Sequence, residues 1–236
     1  MSRSRGGRSA GIVGVVGVLG EVLVTLGALV LLFVVWQVWW TDVESDREHA
    51  RTVTSLEQTF AAAPVDAADP ALTGLDGDAF AVVRIPRFGA DYARPLVEGT
   101  SAAELARGLG HYVGTAAPGQ VGNVAIAGHR TTYGKPLAEI DRLQRGDEVI
   151  VETAAGESVY AVTGHEVVRP SESDVIAPVP GEPGATPTKA VLTLTSCHPR
   201  FSAKQRWVVH AELVLTRTRA QIALKDDIPA PAVEVS

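Results

Sequence analysis

Only one cysteine occurs in the 236 residues, at position 197. A lone thiol forms no intramolecular disulfide, so Cys197 is packing, a liability or a reactive group. Histidine and cysteine lack paired ligand spacings and the acidic residues are scattered, so no metal cluster is legible and no cofactor is expected; a calcium site assembled only by folding stays open. Lysine is scarce, 4 residues against 17 arginines, and positive charge does not dominate, the formal charge being −6. That balance argues against a nucleic-acid partner. Internal repeats are absent. Long apolar runs are lacking too, with a single exception at the N-terminus.

That run, Ile12 to Trp40, is broken only by Glu21, Thr25 and Gln37. About 20 apolar residues span a bilayer, so Val22 to Trp40 alone suffices. Trp36, Trp39 and Trp40 cluster at one end, where indoles favour the interface, and Arg3, Arg5 and Arg8 precede the other. The positive-inside rule puts the N-terminus in the cytoplasm and everything after Trp40 outside the cell. A cleaved signal peptide is the rival reading, but the run is longer than an h-region and no small-x-small site follows it. Glu21 lies near the cytoplasmic end, at the headgroup boundary or protonated.

The expected organisation is a basic tail at 1–10, a transmembrane anchor at 11–40, a juxtamembrane stalk at 41–78, a β domain at 79–217 and a flexible tail at 218–236. Thr41 to Leu56 is charged with weak helical spacing at Val43, Val53 and Leu56, and Ala61 to Asp78 is an Ala/Pro/Asp/Gly stretch without periodicity. Strand patterns then cover Ala79–Ile85, Gly122–Ala127, Glu148–Glu152, Ser158–Thr163, Ala190–Cys197 and Arg206–Leu215. Ala154 to Glu157 makes a hairpin turn, and short helical patterns occur at Ala102–Leu109 and Pro136–Leu143. Many short strands with brief helices predict a closed β-barrel. Pro178 to Pro187 forms a Pro-rich loop before the cysteine strand.

A thiol with a reference pKa near 8.5 is only a few per cent ionised at neutral pH, so a cysteine nucleophile needs a base or cation nearby. Arg206 opens the next strand nine residues after Cys197. Of six histidines, His49 falls in the stalk, His165 at a strand end and His210 inside the last strand. His198 adjoins the cysteine, but neighbours on an extended chain point to opposite sides. His129 differs: it follows the strand Asn123–Ala127 through Gly128 and precedes Arg-Thr-Thr-Tyr-Gly134, on a loop at a strand end.

Thr193-Leu-Thr-Ser-Cys197, Arg206 and Ala127-Gly-His129, behind one N-terminal anchor, resemble the sortases, transpeptidases of Gram-positive bacteria. The longer runs Gly110-His-Tyr-Val-Gly-Thr115, Ala127-Gly-His-Arg-Thr-Thr-Tyr-Gly134 and Ser196 to Arg206 resemble their class E branch, over about Phe80 to Thr216. The resemblance implies an eight-stranded sortase β-barrel with short helices, dominated by β structure and preceded by one transmembrane helix. It implies a triad of Cys197 (nucleophile), His129 (general acid/base) and Arg206 (substrate and oxyanion stabilisation). Ser196 departs from the family's usual threonine before the cysteine; it keeps a hydroxyl and loses a methyl at a position expected to contact substrate. Class E implies a Leu-Ala-x-Thr-Gly sorting signal, and Tyr112 matches the tyrosine associated with alanine at its second position; an aromatic covering the barrel mouth is the alternative.

The implied partners are secreted proteins bearing that C-terminal signal, a peptidoglycan-precursor amine as acceptor, and the membrane through one helix. With reference pKa values and no coupling, the thiolate–imidazolium state is on the order of 1% populated at pH 7, which predicts a slow enzyme. Three other readings remain: a pilin-polymerising sortase with a protein lysine as acceptor, a wall cysteine peptidase, and an anchored binding module with Cys197 as buried filler. Papain-like peptidases place the cysteine before the histidine, the reverse of the order here.

Overall fold

The alternating segments fold into eight strands in a computed structural model that describes residues 7–64 and 77–226. They are β1 (Ala79–Arg84), β2 (Ala93–Glu98), β3 (Leu109–His111), β4 (Gly122–Ala127), β5 (Glu148–Glu152), β6 (Gly156–Val168), β7 (Ala190–His198) and β8 (Gln205–Thr218). They close a barrel in the order β1-β2-β3-β4-β7-β8-β6-β5. Two pairings are parallel, β2 with β3 and β4 with β7, and the rest are antiparallel. Inward residues such as Leu96, Leu109, Val124, Ile126, Leu192, Leu194 and Val209 are fully buried and form one core. Burying each such side chain is worth roughly 1.5–3 kcal/mol, which makes the barrel the rigid part on which a site can be built.

Two strands escaped the pattern. β2 carries Pro95, which ordinarily argues against a strand, and β3 is only three residues long. Burial of Leu96, Val97 and Leu109 decides both segments. The helix expected over Ala102–Leu109 is α2 and ends at Ala106, because Leu109 is drawn into the core. Pro136–Leu143 yields only a 3-10 turn at Ile140–Arg142, and β6 runs well beyond Thr163. The expected C-terminal tail begins instead with the last residue of β8 and a helix, α3 (Arg219–Asp226). Residues 227–236 of that tail lie outside the described residues, as do 1–6 and the Ala/Pro/Asp/Gly stretch at 65–76.

The N-terminal helix, α1, covers Gly7–Ala62. The chain divides into two units, residues 1–43 and 44–236. In the first, the helix exposes Val22, Leu26, Leu29, Phe33 and Trp36 and is long and apolar enough to cross a membrane. In the second, residues 44–62 correct the expectation of a stalk: they pack on the barrel wall. Val53 and Phe60 close over Val82, flanked by Leu56, Ala93 and Ala154, and His49 is fully buried. These four helix residues, 49, 53, 56 and 60, share one face by helical periodicity. Arg94 with Asp46 (3.0 Å) and Arg84 with Glu57 pair at the edges. This cover explains why β1 reads as an unbroken apolar run: Phe80, Ala81 and Val83 face the core while Val82 faces the helix.

Candidate active site

Alternation on β7 sorts its side chains into two sets. Leu192, Leu194 and Ser196 go with the core, and Thr193, Thr195 and Cys197 face the other way. Cys197 is directly opposite Arg206 in the β7–β8 register, so thiol and guanidinium rise from the same side of adjacent strands. β4 lies on the other flank of β7, with Ala127 opposite Thr195. The Gly128 N–H donates to the Thr195 carbonyl at 3.1 Å, and the register carried on by two residues sets His129 level with Cys197. Neighbouring strands lie about 4.8 Å apart, so the three positions fall at the same end of the β4–β7–β8 surface. Only glycine fits at 128, where a Cβ would come within 2.6 Å of Leu109 Cδ2 and 2.8 Å of Leu137 Cγ.

The thiol is partly exposed and free. Nη1 of Arg206 donates to the carbonyls of Ala203 and Gln205, both at 3.0 Å, and among the described residues no carboxylate pairs with it. Its charge is therefore open to an incoming carbonyl oxygen. His129 is half-buried, and burial holds its pKa below the ordinary 6.5. Its Nε2 is buried with no hydrogen-bond partner among the described residues, and the ring lies against Tyr133, 5.1 Å between centroids. The Tyr112 hydroxyl and Thr195 Oγ1 are hydrogen-bonded at 3.1 Å, a tie from the residue after β3 across the outer face of β7.

Ser196 is a correction. Its side chain is buried on the side opposite Cys197, and Oγ donates to the Gly128 carbonyl at 2.8 Å. Period-two alternation turns it away from any substrate on the cysteine face; it ties β7 to the strand end that bears His129 instead. His198 likewise points away from the thiol, its ring 5.3 Å from Trp207. His165 stacks on the same indole at 4.9 Å, and His210 is bonded to Glu166 and Thr193.

Arg130 is the residue the sequence reading passed over. It is 4% exposed, and its Nη1 donates to the Cys197 carbonyl at 3.3 Å and contacts His198 Nδ1 at 3.1 Å. Nη2 pairs with Asp141 at 2.7 Å. One guanidinium thus clamps the end of β4 to the end of β7. Its place directly after His129 was the available signal, and a single arginine in a loop gives no reason to expect burial. The segment just ahead of the Pro-rich loop packs on the barrel: Val175 lies on Val168 and Val208, and Asn123 Nδ2 donates to the carbonyls of Val175 and Ala177. A cleft of about 300 Å³ lined by Val113, Val121, Asn123, Ile176 and Pro178 opens there, at the other end of β4 from the thiol.

The fold is thus a closed eight-stranded barrel with a free strand-end thiol, a guanidinium opposite it in register and a histidine just past the end of the neighbouring strand. The sortase domain model matches residues 83–214. Sortase SrtE1 of Streptomyces coelicolor is 33% identical over 193 residues, covering 78% of this chain and 53% of that protein, so the chain spans about half that relative's length. Among solved structures, SrtA sortase from Actinomyces oris has 43% identity and a TM-score of 0.57, over 61% of this chain and 84% of that one. Sortase E from Streptomyces avermitilis has 39% identity and a TM-score of 0.56, over 65% and 95%. The chain belongs to the sortase family. Within it, the sortase E relatives make this a class E member.

Proposed function

We propose that the chain is a membrane-anchored extracytoplasmic transpeptidase that cleaves a Leu-Ala-x-Thr-Gly-like signal between threonine and glycine and joins the threonine to a cell-wall precursor amine. The observation that carries this reading is the strand register: Cys197 is opposite Arg206, and Ala127, two residues before His129, is opposite Thr195, two residues before Cys197, which supports a shared site for the three. The thiolate of Cys197 attacks the threonine carbonyl carbon, and Arg206 meets the negative charge that develops on its oxygen. An arginine is fixed in its charged form and serves here as a donor, not as an acid. His129 as imidazolium gives its proton to the departing glycine nitrogen, which leaves a thioester on Cys197. The acceptor amine then attacks the thioester, loses a proton to His129 and restores the thiolate.

Tyr112 is assigned to the second signal position, supported by its tie to Thr195 on the cysteine face. The apolar half of α1 is assigned as the anchor, with the three N-terminal arginines in the cytoplasm and the barrel outside. The test uses the full chain in detergent with quenched Leu-Ala-x-Thr-Gly and Leu-Pro-x-Thr-Gly peptides, with and without an amine, and mass spectrometry of Cys197. An adduct on Cys197 that Cys197→Ala abolishes and the amine diverts to a ligated product is the expected result. Absence of any adduct from folded protein with a reactive thiol overturns the reading.

A further inference from the structure

Among the described residues the buried Nε2 of His129 has no hydrogen-bond partner, and the ring is held by packing. The contact is Tyr133, which holds a left-handed φ of 52°. Such a backbone costs a non-glycine residue on the order of 1–3 kcal/mol and persists only when its surroundings hold it. Part of that hold is internal: the Leu137 N–H closes the loop onto the His129 carbonyl at 3.0 Å. The rest comes from residues 44–62. Gly134, with φ +69°, sits so close to the helix that a Cβ would lie 2.8 Å from Asp46 Oδ1 and 3.2 Å from His49 Nδ1. A second route runs from Asp46 to Arg94 at 3.0 Å, from that guanidinium to the face of Tyr92 at 5.1 Å, and from the Tyr92 hydroxyl to the Pro136 carbonyl at 2.6 Å. His49 is itself fully buried, its Nε2 within 3.3 Å of the Ala106 carbonyl, to which the N–H tautomer donates.

We infer that Asp46 and His49 are positioning residues for the reaction: through Gly134 and Tyr133 they set the place and the solvation of the His129 imidazole. The inference rests on His129 being the acid/base of the proposed reaction. The segment expected to be a passive stalk is then part of the framework of the site, and a barrel lacking it has a looser His129 loop.

The test uses the full chain in detergent micelles, with [13C]histidine labelling and the six signals assigned by single substitutions. His49→Ala removes the wall against Gly134; it should lower kcat by about 10- to 100-fold, the scale of a 1 Å misplacement, with KM unchanged. The His129 titration should move up toward the ordinary imidazole value as water enters. His49→Gln, which keeps a donor for Ala106, should restore most of both. Val53→Ala, on the same helix face but packed on Val82, should lower stability while leaving kcat and the His129 titration at the parent values. Parent-like kcat and titration in His49→Ala, or equal changes in Val53→Ala, overturns the inference. The His129 titration needs no turnover. A His129→Gln chain that still transfers acyl groups would therefore sink the acid/base role, while the titration reports separately on whether the helix holds the loop.

Discussion

Arg206 enters the proposed site with its charge uncompensated by any carboxylate among the described residues, while Arg130, just past the end of β4, is tied through Nη1 to the Cys197 carbonyl and through Nη2 to Asp141. The two arginines therefore call for different experiments. Arg206→Lys keeps the charge but loses the planar fork, and it should lower kcat/KM by roughly 10²–10³-fold, the loss seen when one oxyanion donor is removed, with little change in Tm. Peptide cleavage alongside thermal unfolding checks this. Arg130→Met should act first on stability, because the Cys197 carbonyl loses the donor supplied by a buried guanidinium and the exposed Asp141 loses its ion-pair partner; the cost is about 1–3 kcal/mol, read from denaturant unfolding. The Ser196 hydroxyl on Gly128 belongs with Arg130, not with substrate.

At the scale of elements, the parallel β4–β7 pair and the antiparallel β7–β8 pair are what turn distant residues into neighbours. Cys197 and His129 are 68 positions apart, and only the strand order places β4 beside β7. The packed part of α1 is the second element that matters. Phe60 is 3% exposed and lies beneath the Arg219 guanidinium at 5.8 Å. Phe60→Ala should cost about 3 kcal/mol, the low end for a buried phenylalanine. Amides of residues 44–62 should then exchange faster than those of β4 and β7, since the helix is held by one face and the barrel strands by two. Hydrogen exchange with mass spectrometry measures it.

For the molecule as a whole, His49 and His129 are both held below 6.5 by burial. The unfolded chain therefore takes up their protons first. Their contribution to stability is complete above the unfolded value of 6.5 and is lost as pH falls through the lower folded values. Tm should be level above about pH 7 and decline below 6.5. His49→Gln should flatten that decline, which thermal scans between pH 5 and 8 would show. Asp147 and Glu104, lowered by hydrogen bonds to Arg87 and Ser101, lose their contribution only in the carboxylate range, so the two effects separate on the pH axis.

Much of the fold was legible because local signals agreed with it. Six strands read directly from alternation, the anchor-length helix read from its long apolar run, and Cys197, His129 and Arg206 stood out as a strand-end thiol, a strand-end imidazole and a strand-start cation. These properties are encoded over a few neighbouring residues, and the resemblance to sortases joined them into one site. What needed the tertiary structure was set by partners distant in sequence. β2 and β3 exist because Leu96, Val97 and Leu109 fill the barrel, against the local advice of Pro95 and of a three-residue length. The burial of Arg130 depends on Asp141 and Cys197, and the inward turn of Ser196 follows from which face of β7 the core claims. The docking of residues 44–62 depends on Val82, Arg94 and Gly134, none of which a charged helical segment can announce by itself. Periodicity within an element is a property of the chain, whereas which face another element covers is decided only when the two meet.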